Sequence, residues 1–333
     1  MKRKADRTIE KYKACKVGRG FTQEAGINYK ETYFQMMRPE TFKLLIIIAL
    51  YHNWEIRQWD VVAAYLQAAL KHDIYISDVN EDGETEYWLL HKAVYGLKQA
   101  GHEWYLKLVN ILQKAGYEQC VGDEGCFQRK GKTAVGTHVD DILGIGRSKD
   151  LDTAELLIEQ EVEVEKKGKP EKMLGMEAHW TDDQVVLTQT ALIEATMQTH
   201  CQKRLRNRLK RSPMLDPCYY AKGDDAEERA EQKKFQALVG SLLFISRMTR
   251  PDIAIHVNLL GRRMSDPTMK NYQAALRVLS YLKATSTEGI TLKRPKNLEI
   301  KILANAAYGG EKARSQSGAI LTVGGQAIGW STR

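Results

Sequence analysis

Two adjacent aspartates, Asp140 and Asp141, are the residues best suited to chemistry in this sequence. Residues 137–143 read THVDDIL, with an apolar run on each side of the acidic pair. Apolar, β-branched flanks around a short break predict two strands joined by a tight turn. Adjacent carboxylates repel one another unless cations or water compensate their charge. The pattern therefore leaves two interpretations, a solvated acidic turn or a divalent-metal site held on a rigid hairpin.

A third carboxylate, Asp60, stands where a predicted strand gives way to a predicted helix start at residues 61–66. This is a usual position for a metal ligand and also for a plain helix N-cap. Nucleotidyl transfer needs carboxylates that converge on two divalent ions about 4 Å apart. Mg²⁺ prefers carboxylate and phosphate oxygens. Residue types and spacing are compatible with such a site but do not select it.

The elements predicted around these residues follow the order β-α-β-β-α, with acidic residues on two neighbouring strands. That is the order of a palm, a sheet backed by helices. The first helix is expected to be capped by Thr41, and the strand that ends at Asp60 is expected to be half-buried. The predicted helices cover residues 41–52, 102–115, 150–163, 233–248 and 269–285, and the predicted strands cover 54–60, 86–90, 126–129 and 133–137.

The composition excludes several classes of protein. Of the 333 residues 43% are hydrophobic and 28% are charged, which is typical of a globular chain. No apolar run approaches the roughly 20 residues of a membrane span. The five cysteines form no CxxC pair, which favours free thiols in a reducing compartment. The net charge of +8 favours a polyanionic partner, without specifying one.

Six sets of motifs follow one another along the chain. They lie at residues 12–14 with 19–23 (YKA, RGFTQ), 58–66 (QWDVVAAYL), 95–100 with 104–105 (YGLKQA, WY), 138–143 (HVDDIL), 174–177 (LGME), and 238–242 with 249–254 (LVGSL, TRPDIA). In this order they resemble the reverse transcriptase of copia-type LTR retrotransposons, a part of the Pol polyprotein. The resemblance covers nearly the whole chain.

The resemblance implies an α+β fold of the right-hand polymerase type, with truncated fingers, a palm sheet backed by helices, and a thumb. A connecting region and a partial RNase H-like α/β segment would follow. The expected segments are fingers and palm over 1–178, a thumb-like segment over 179–222, a helical connection over 223–296 and the RNase H-like segment over 297–333. The chain is expected to begin inside the fingers.

By the same resemblance, Asp60, Asp140 and Asp141 would be the catalytic, metal-binding carboxylates. They would hold two Mg²⁺ ions, with Mn²⁺ as an alternative. Asp60 and Asp140 would be the more direct ligands.

The resemblance also implies four substrate-binding residues. Tyr65 would press on the sugar and exclude a 2′-hydroxyl, although an ordinary core aromatic explains it as well. Lys13 and Arg19 would reach the incoming triphosphate, or would belong to a solvated basic strand. Gln99 lies in a turn that would support the templating pair. Residues 174–177 would grip the primer end.

Some positions depart from the family pattern. Where the family has SDADWAG, residues 304–310 read ANAAYGG, so Asn305 and Ala307 replace two aspartates. A neutral amide cannot supply the charge that two-metal hydrolysis needs, and we therefore predict no RNase H activity. His138 replaces a tyrosine, and residues 101–103 read GHE in place of Pro-Arg-Ala. These changes suggest drift in a defective element copy.

The implied function is RNA-directed DNA polymerisation, in which dNTPs extend a primer 3′-hydroxyl on an RNA or DNA template. The alternative is a non-catalytic relic that keeps the fold and at most binds nucleic acid. Six basic residues in segment 203–211 suit phosphate contacts along a template–primer duplex, or a solvated helix face. Other Pol products are expected as further partners. No interaction with a membrane is expected. The expected location is intracellular, either cytoplasmic in a virus-like particle or nuclear.

Overall fold

The computed structural model describes residues 2–3, 9–11, 17–80, 82–129, 131–200, 212–223, 227–309 and 315–333. The chain forms two compact units. The first unit comprises Met1–Met37 and Arg57–Gly168, and the second comprises Arg38–Ile56 and Lys169–Arg333. The functional segments expected from the resemblance follow other boundaries and stay predictions.

Both units contain strands and helices. The strands are β1 (Lys2–Arg3), β2 (Ile9–Lys11), β3 (Glu55–Val61), β4 (Ala69–Val79), β5 (Thr85–Lys92), β6 (Glu118–Cys120), β7 (Asp123–Arg129), β8 (Thr133–His138), β9 (Asp141–Gly146), β10 (Val164–Gly168), β11 (Lys172–Met173), β12 (Met176–Trp180), β13 (Gln184–Thr188), β14 (Ile290–Lys293), β15 (Ile300–Ala307), β16 (Gln316–Val323) and β17 (Gln326–Thr332). The α-helices are α1 (Pro39–His52), α2 (Ala64–Gln67), α3 (Ala100–Lys114), α4 (Ser148–Glu159), α5 (Thr190–His200), α6 (Gln232–Met248), α7 (Ala254–Gly261) and α8 (Met269–Ala284).

A six-stranded sheet in the order β10-β3-β9-β8-β7-β6 is the frame of the first unit. Strands β3 and β9, which carry Asp60 and Asp141, are neighbours as the sequence predicted. Helices α3 and α4 contribute to the core of this unit, where Trp104, Leu108 and Leu151 are buried. A separate two-stranded sheet pairs β4 with β5.

Helix α3 forms because its apolar residues recur at helical spacing. Trp104, Leu108 and Ile111 fall on one face and are each at most 3% exposed. The chain then leaves the helix at Gly116, whose φ of +79° suits glycine. The helix predicted over 102–115 is therefore confirmed, with a start two residues earlier.

Strand β3 is more buried than the sequence predicted. Trp59 is 1% exposed, and a Cβ added at Gly144 of β9 would lie 2.4 Å from its ring. Gly144 thus makes room for a large indole, and Ile56, Gln58 and Val61 of this strand are buried as well, whereas Asp60 is partly exposed. The expectation of a half-buried strand is wrong, because alternation of residue types does not show what packs on each face.

The ends of two predicted helices also differ. Helix α1 begins at Pro39 with Arg38 as its N-cap residue, so Thr41 is not the cap. Proline fits the first helical position because its missing N–H would have no partner there. Helix α4 covers Ser148–Glu159, two residues earlier at its start and four at its end than the predicted 150–163.

The second unit contains two sheets and a helical core. The sheets have the orders β11-β12-β13-β14 and β15-β16-β17. Phe235 and Leu242 of α6 and Leu279 of α8 are fully buried in the core, and both helices were predicted. Helix α7 was not predicted, since its eight largely apolar residues show no helical periodicity. In the described parts of the chain, no helix has both the length and the apolar character that a membrane span requires.

Candidate active site

The acidic hairpin predicted from the sequence is present. Strand β8 ends at His138 and β9 begins at Asp141, and these two residues face each other across the ladder. Val139 and Asp140 form the turn between them, and Val139 has a φ of 57°. A β-branched residue in this conformation is strained and needs support from its surroundings. Trp104 gives that support, since its Nε1 donates a 2.7 Å hydrogen bond to the Val139 carbonyl.

Asp60 lies directly beside this turn. The backbone N–H of Val61 donates a 2.8 Å hydrogen bond to the Asp140 carbonyl, which joins the end of β3 to the hairpin. Asp60 is a strand residue and not a helix N-cap, because α2 begins at Ala64 with Ala63 as its N-cap residue. The structure therefore brings the three predicted aspartates to neighbouring backbone positions.

The surroundings of Asp141 change the ionisation of its carboxyl. Burial raises the pKa of its carboxyl above the ordinary value, and the negative charges of Asp140 and Asp60 add to this. Gln58 opposes the rise, because its Nε2 donates a 2.6 Å hydrogen bond to Asp141 Oδ1. Lys167 also lowers the pKa of Asp141 through its charge. The mutual influence of these charges places all three carboxylates in one electrostatic cluster.

His138 stands next to the cluster in a half-buried position. Burial lowers its pKa, although the charges of Asp141 and Asp140 act in the opposite direction. Its Nδ1 atom is buried and has no hydrogen-bond partner among the described residues. Burial thus favours the neutral imidazole, whereas the charges of the two carboxylates favour the protonated ring.

A lysine that sequence reasoning missed lies against Asp60. The Nζ atom of Lys167 forms an ion pair with Asp60 Oδ2. Burial lowers the pKa of Lys167, but the hydrogen bond and the charge of Asp60 outweigh it, and the net shift is upward. On the paired strand β10, Glu165 faces Asp60 directly, so a fourth carboxylate shares this face of the sheet.

The donor chemistry of this cluster fits a hard divalent cation. Aspartate oxygens are ligands that Mg²⁺ accepts, and they come from adjacent backbone segments. As the side chains are placed, however, Asp141 Oδ1 accepts from Gln58 and Asp60 Oδ2 pairs with Lys167. Within the described residue ranges, no three His, Cys, Asp or Glu side chains are arranged to hold a metal ion. The metal-binding roles stay predictions.

Tyr65 lies close to the cluster on α2. Its side chain is half-buried, and its ring centroid is 4.5 Å from that of Tyr95. Burial raises the pKa of the Tyr65 phenol, and the charge of Asp140 adds to the rise. Tyr65 is thus partly accessible and within the electrostatic reach of Asp140, which is compatible with the predicted contact to a nucleotide.

Two motifs that lie far apart in the sequence pack against each other. The N–H of Gly18 donates a 2.7 Å hydrogen bond to the Tyr95 carbonyl. A Cβ on Gly20 would lie 2.0 Å from the Gly96 carbonyl oxygen, and one on Gly96 would lie 2.1 Å from the Gly18 carbonyl oxygen. Only glycine allows this backbone approach, so segment 18–23 and turn 95–100 form one substructure.

This packing gives Gln99 a structural role. The residue is 3% exposed, its Oε1 accepts a 3.0 Å hydrogen bond from Gln23, and its Nε2 donates a 3.2 Å hydrogen bond to the Asn28 carbonyl. Arg19 is exposed on the same substructure. Lys13 and the basic segment 203–211 lie outside the described residues.

Residues 174–177 are the segment predicted to contact the primer. The last of them, Glu177, stabilises a helix of the protein itself. Glu177 accepts backbone hydrogen bonds from Thr190 at 3.1 Å and from Ala191 at 2.9 Å. Its carboxylate thereby caps the N-terminus of α5, where negative charge is favourable. Leu174 has a φ of 55°, so the turn before β12 is strained. The structure contains nothing that tests a primer contact.

Asn305 and Ala307 lie on the exposed strand β15. The Asn305 Oδ1 atom accepts a 2.9 Å hydrogen bond from the Ala306 N–H. Both side chains are neutral, so this strand supplies no carboxylate at either position.

The residues missed by sequence reasoning are mostly partners of the aspartates. Gln58 belongs to the QWDVVAAYL motif, and its place two residues before Asp60 could have indicated a role at the site. Trp104 belongs to the WY motif at residues 104–105, but no contact of this residue with the acidic turn was predicted. Lys167 belongs to a basic stretch, KKGK at residues 166–169, in which nothing distinguishes it from its neighbours.

Comparison with known proteins gives consistent matches. The family described as reverse transcriptase (RNA-dependent DNA polymerase) matches residues 1–207. The retrovirus-related Pol polyprotein from transposon RE1 of Arabidopsis thaliana is 32% identical over 99% of this chain, and that from transposon RE2 of the same plant is 30% identical over 99%. The Pol polyprotein from transposon TNT 1-94 of Nicotiana tabacum is 26% identical over the whole chain. The chain spans about a quarter of the length of these relatives, 23%, 23% and 26% respectively.

Proposed function

Because this chain belongs to the reverse transcriptase family, we propose that it carries out RNA-directed DNA polymerisation as part of a copia-type Pol polyprotein. A primer 3′-hydroxyl would attack the α-phosphate of a dNTP, with pyrophosphate as the leaving group. An RNA or DNA template with its primer, dNTPs and other Pol products are the proposed partners. The proposed location is intracellular, in a cytoplasmic virus-like particle or in the nucleus.

One observation carries the proposal, the hydrogen bond between the Val61 N–H and the Asp140 carbonyl. It holds Asp60 and the Asp140-Asp141 pair at adjacent positions although two helices, α2 and α3, and five strands, β4 to β8, separate them in the sequence. The hydrogen bond of Trp104 to Val139 supports the same turn from the core. Carboxylates on backbone fixed in this way are preorganised for transition-state stabilisation.

We assign Asp60, Asp140 and Asp141 as the residues that would hold two Mg²⁺ or Mn²⁺ ions. Such ions, when bound, lower the pKa of the attacking hydroxyl and stabilise the leaving group. The chain itself orients the donors: Gln58 fixes the Asp141 carboxylate, and the turn at Val139 fixes Asp140. Burial lowers the pKa of His138 beside this cluster and so favours its neutral form.

The substrate contacts follow from position. Tyr65, half-buried and within reach of the Asp140 charge, would press on the sugar of the incoming nucleotide. Arg19, exposed on the substructure built with turn 95–100, would contact the triphosphate together with Lys13. Gln99 would act indirectly, because its polar atoms are occupied by Gln23 and Asn28.

The predicted inactivity of the RNase H-like segment is part of the proposal. Asn305 and Ala307 are neutral, so two-metal hydrolysis would lack its charged ligands there. Hydrolysis of the RNA strand of an RNA–DNA hybrid should be absent. Cleavage that is lost on Asn305→Ala would contradict this.

A second candidate, a non-catalytic relic that binds nucleic acid, is favoured by one observation. The Asp60 carboxylate is paired with Lys167, so one proposed metal ligand already has a cation. In this case template–primer would bind without extension.

Primer extension distinguishes the two candidates. The full chain is incubated with an RNA template, a DNA primer, dNTPs and Mg²⁺, and is compared with Asp140→Asn. Asp152→Asn is the matched control, because Asp152 lies on α4 and pairs with Arg57 at 2.7 Å. Extension that Asp140→Asn abolishes and Asp152→Asn preserves supports polymerisation. Binding without extension under Mg²⁺ and Mn²⁺ supports the relic.

A further inference from the structure

We propose that Lys167 is a tethered counter-ion of Asp60 that a divalent cation has to displace before it binds at this carboxylate. The proposal rests on the proposed function, in which Asp60 is a metal ligand. The ammonium of Lys167 contacts Asp60 Oδ2, and the two side chains are 38% and 29% exposed. The pair is therefore accessible to ions from solvent and is not locked in the core.

The backbone of β10 places Lys167 beside Asp60. Lys166 faces Trp59 and Gly168 faces Gln58 on the antiparallel strand β3, so Lys167 is one extra residue in the ladder. Such a bulge re-aims a side chain and is common next to functional sites. Gly168 has a φ of +67°, a conformation that glycine adopts readily.

The neighbouring residue, Lys166, has the same side chain but contacts different carboxylates. Lys166 pairs with Glu155 at 2.5 Å and with Glu159 at 2.8 Å, both on α4. Trp59, which faces Lys166, also contacts Glu155. Adjacent strand residues point to opposite faces of a sheet. Lys166 and Lys167 therefore lie on opposite faces of the sheet. Of the two, only Lys167 contacts Asp60.

The charges on this face explain what Lys167 does. Four acidic residues, Asp60, Asp140, Asp141 and Glu165, act on or lie beside one another, and the Lys167 ammonium compensates part of their repulsion. A divalent ion would compete with the ammonium for the same carboxylate oxygen and would be repelled by it. With the screening of bulk water, which suits a partly exposed pair, removing one positive charge about 5 Å from a divalent ion strengthens binding by roughly tenfold.

The test measures metal binding directly in the full chain. Free Mn²⁺ is followed by electron paramagnetic resonance during titration of wild type, Lys167→Gln and Lys166→Gln. We expect Lys167→Gln to bind Mn²⁺ about tenfold more tightly. Lys166→Gln should bind as wild type does, and Lys167→Arg, which keeps the ion pair, should stay close to wild type.

A thermal measurement gives a second readout. Without metal, Lys167→Gln should unfold at a lower temperature than wild type, because the carboxylates lose their counter-ion. Added Mg²⁺ should raise the unfolding temperature of Lys167→Gln more than that of wild type. Equal Mg²⁺ responses of the two proteins would count against the proposal.

The possible failures are distinguishable. Unchanged or weaker Mn²⁺ binding by Lys167→Gln overturns the proposal, as does an equal gain in Lys166→Gln. If wild type binds Mn²⁺ and Asp60→Asn abolishes that binding, the metal role of Asp60 stands even when Lys167→Gln changes nothing. If no variant binds Mn²⁺ and none extends a primer, both the counter-ion and the polymerase proposals fail.

Discussion

Gln58 and Asp141, on neighbouring strands, are joined by a 2.6 Å hydrogen bond from the amide to the carboxylate. The bond stabilises the ionised carboxylate, whereas burial and the charges of Asp140 and Asp60 destabilise it. The net pKa of Asp141 is raised. Folding therefore disfavours the ionised form of the Asp141 carboxyl relative to the unfolded chain.

We expect Asp141→Asn to stabilise the metal-free protein at pH 7. The folded-state pKa of Asp141 lies above its ordinary value, so its stabilising contribution is present below that value and is lost as pH rises. Asparagine resembles the protonated carboxyl and still accepts a hydrogen bond from Gln58. The free energy of unfolding should rise by about 0.5–1 kcal/mol.

The measurement is urea unfolding in EDTA at pH 7 and pH 4. The gain should shrink toward pH 4, where Asp141 of the wild type is itself increasingly protonated. Asp152→Asn is the control, since this exposed carboxylate pairs with Arg57 and its loss should bring no gain. A loss of stability in Asp141→Asn at pH 7 would contradict the prediction.

His138→Tyr should make the protein less sensitive to acid. Burial lowers the pKa of His138, so the stability it contributes is present above the ordinary pKa and is lost as pH falls through and below about 6.5. Tyrosine does not titrate in this range. Between pH 7.5 and pH 5, the unfolding temperature should fall less in the variant, by roughly 2 °C.

Exposed His91 on β5 provides the control for that experiment. His91→Tyr should follow the wild-type pH profile of unfolding temperature. If His138→Tyr and wild type lose stability in parallel between pH 7.5 and pH 5, His138 is not a source of the acid sensitivity.

The acidic hairpin and the neighbouring strand β3 were predictable because each is indicated by residues close together in the sequence. Apolar flanks around Asp140 and Asp141 indicate strand, turn and strand. The adjacency of β3 and β9 was expected from the order of elements and from the resemblance. The mixed α and β character is likewise confirmed, whereas the right-hand layout stays a prediction.

The partners of the aspartates were not predictable from sequence, since they depend on register. Lys166 and Lys167 look alike in the chain, and only the pairing of β10 with β3 shows that their side chains lie on opposite faces of the sheet. The cap that the Glu177 carboxylate forms on α5 involves residues more than ten positions away, and the primer contact of residues 174–177 stays a prediction. Such pairings follow from tertiary packing and leave no local pattern.

Tyr65 offers a test of nucleotide selection. With Tyr65→Ala, the side chain proposed to exclude a 2′-hydroxyl is removed, so ribonucleotides should be incorporated more readily. The ratio of kcat/KM for dNTP over rNTP should fall at least about tenfold. Tyr65→Phe keeps the ring and should keep the ratio. An unchanged ratio in Tyr65→Ala would favour the alternative role, packing against Tyr95.

Gly96→Ala tests the substructure formed by segment 18–23 and turn 95–100. The new methyl group would lie 2.1 Å from the Gly18 carbonyl oxygen, at a φ of +92°. Backbone has to move, and we expect the free energy of unfolding to fall by about 3 kcal/mol or more. Gly83→Ala is the matched control, since Gly83 has a φ of +82° and nothing lies within 4 Å of an added Cβ. It carries only the conformational penalty, about 1 kcal/mol. The free energy of unfolding of both variants is measured by urea unfolding. If Gly96→Ala and Gly83→Ala lose the same amount, the positive φ alone, and not the close backbone approach, accounts for glycine at position 96.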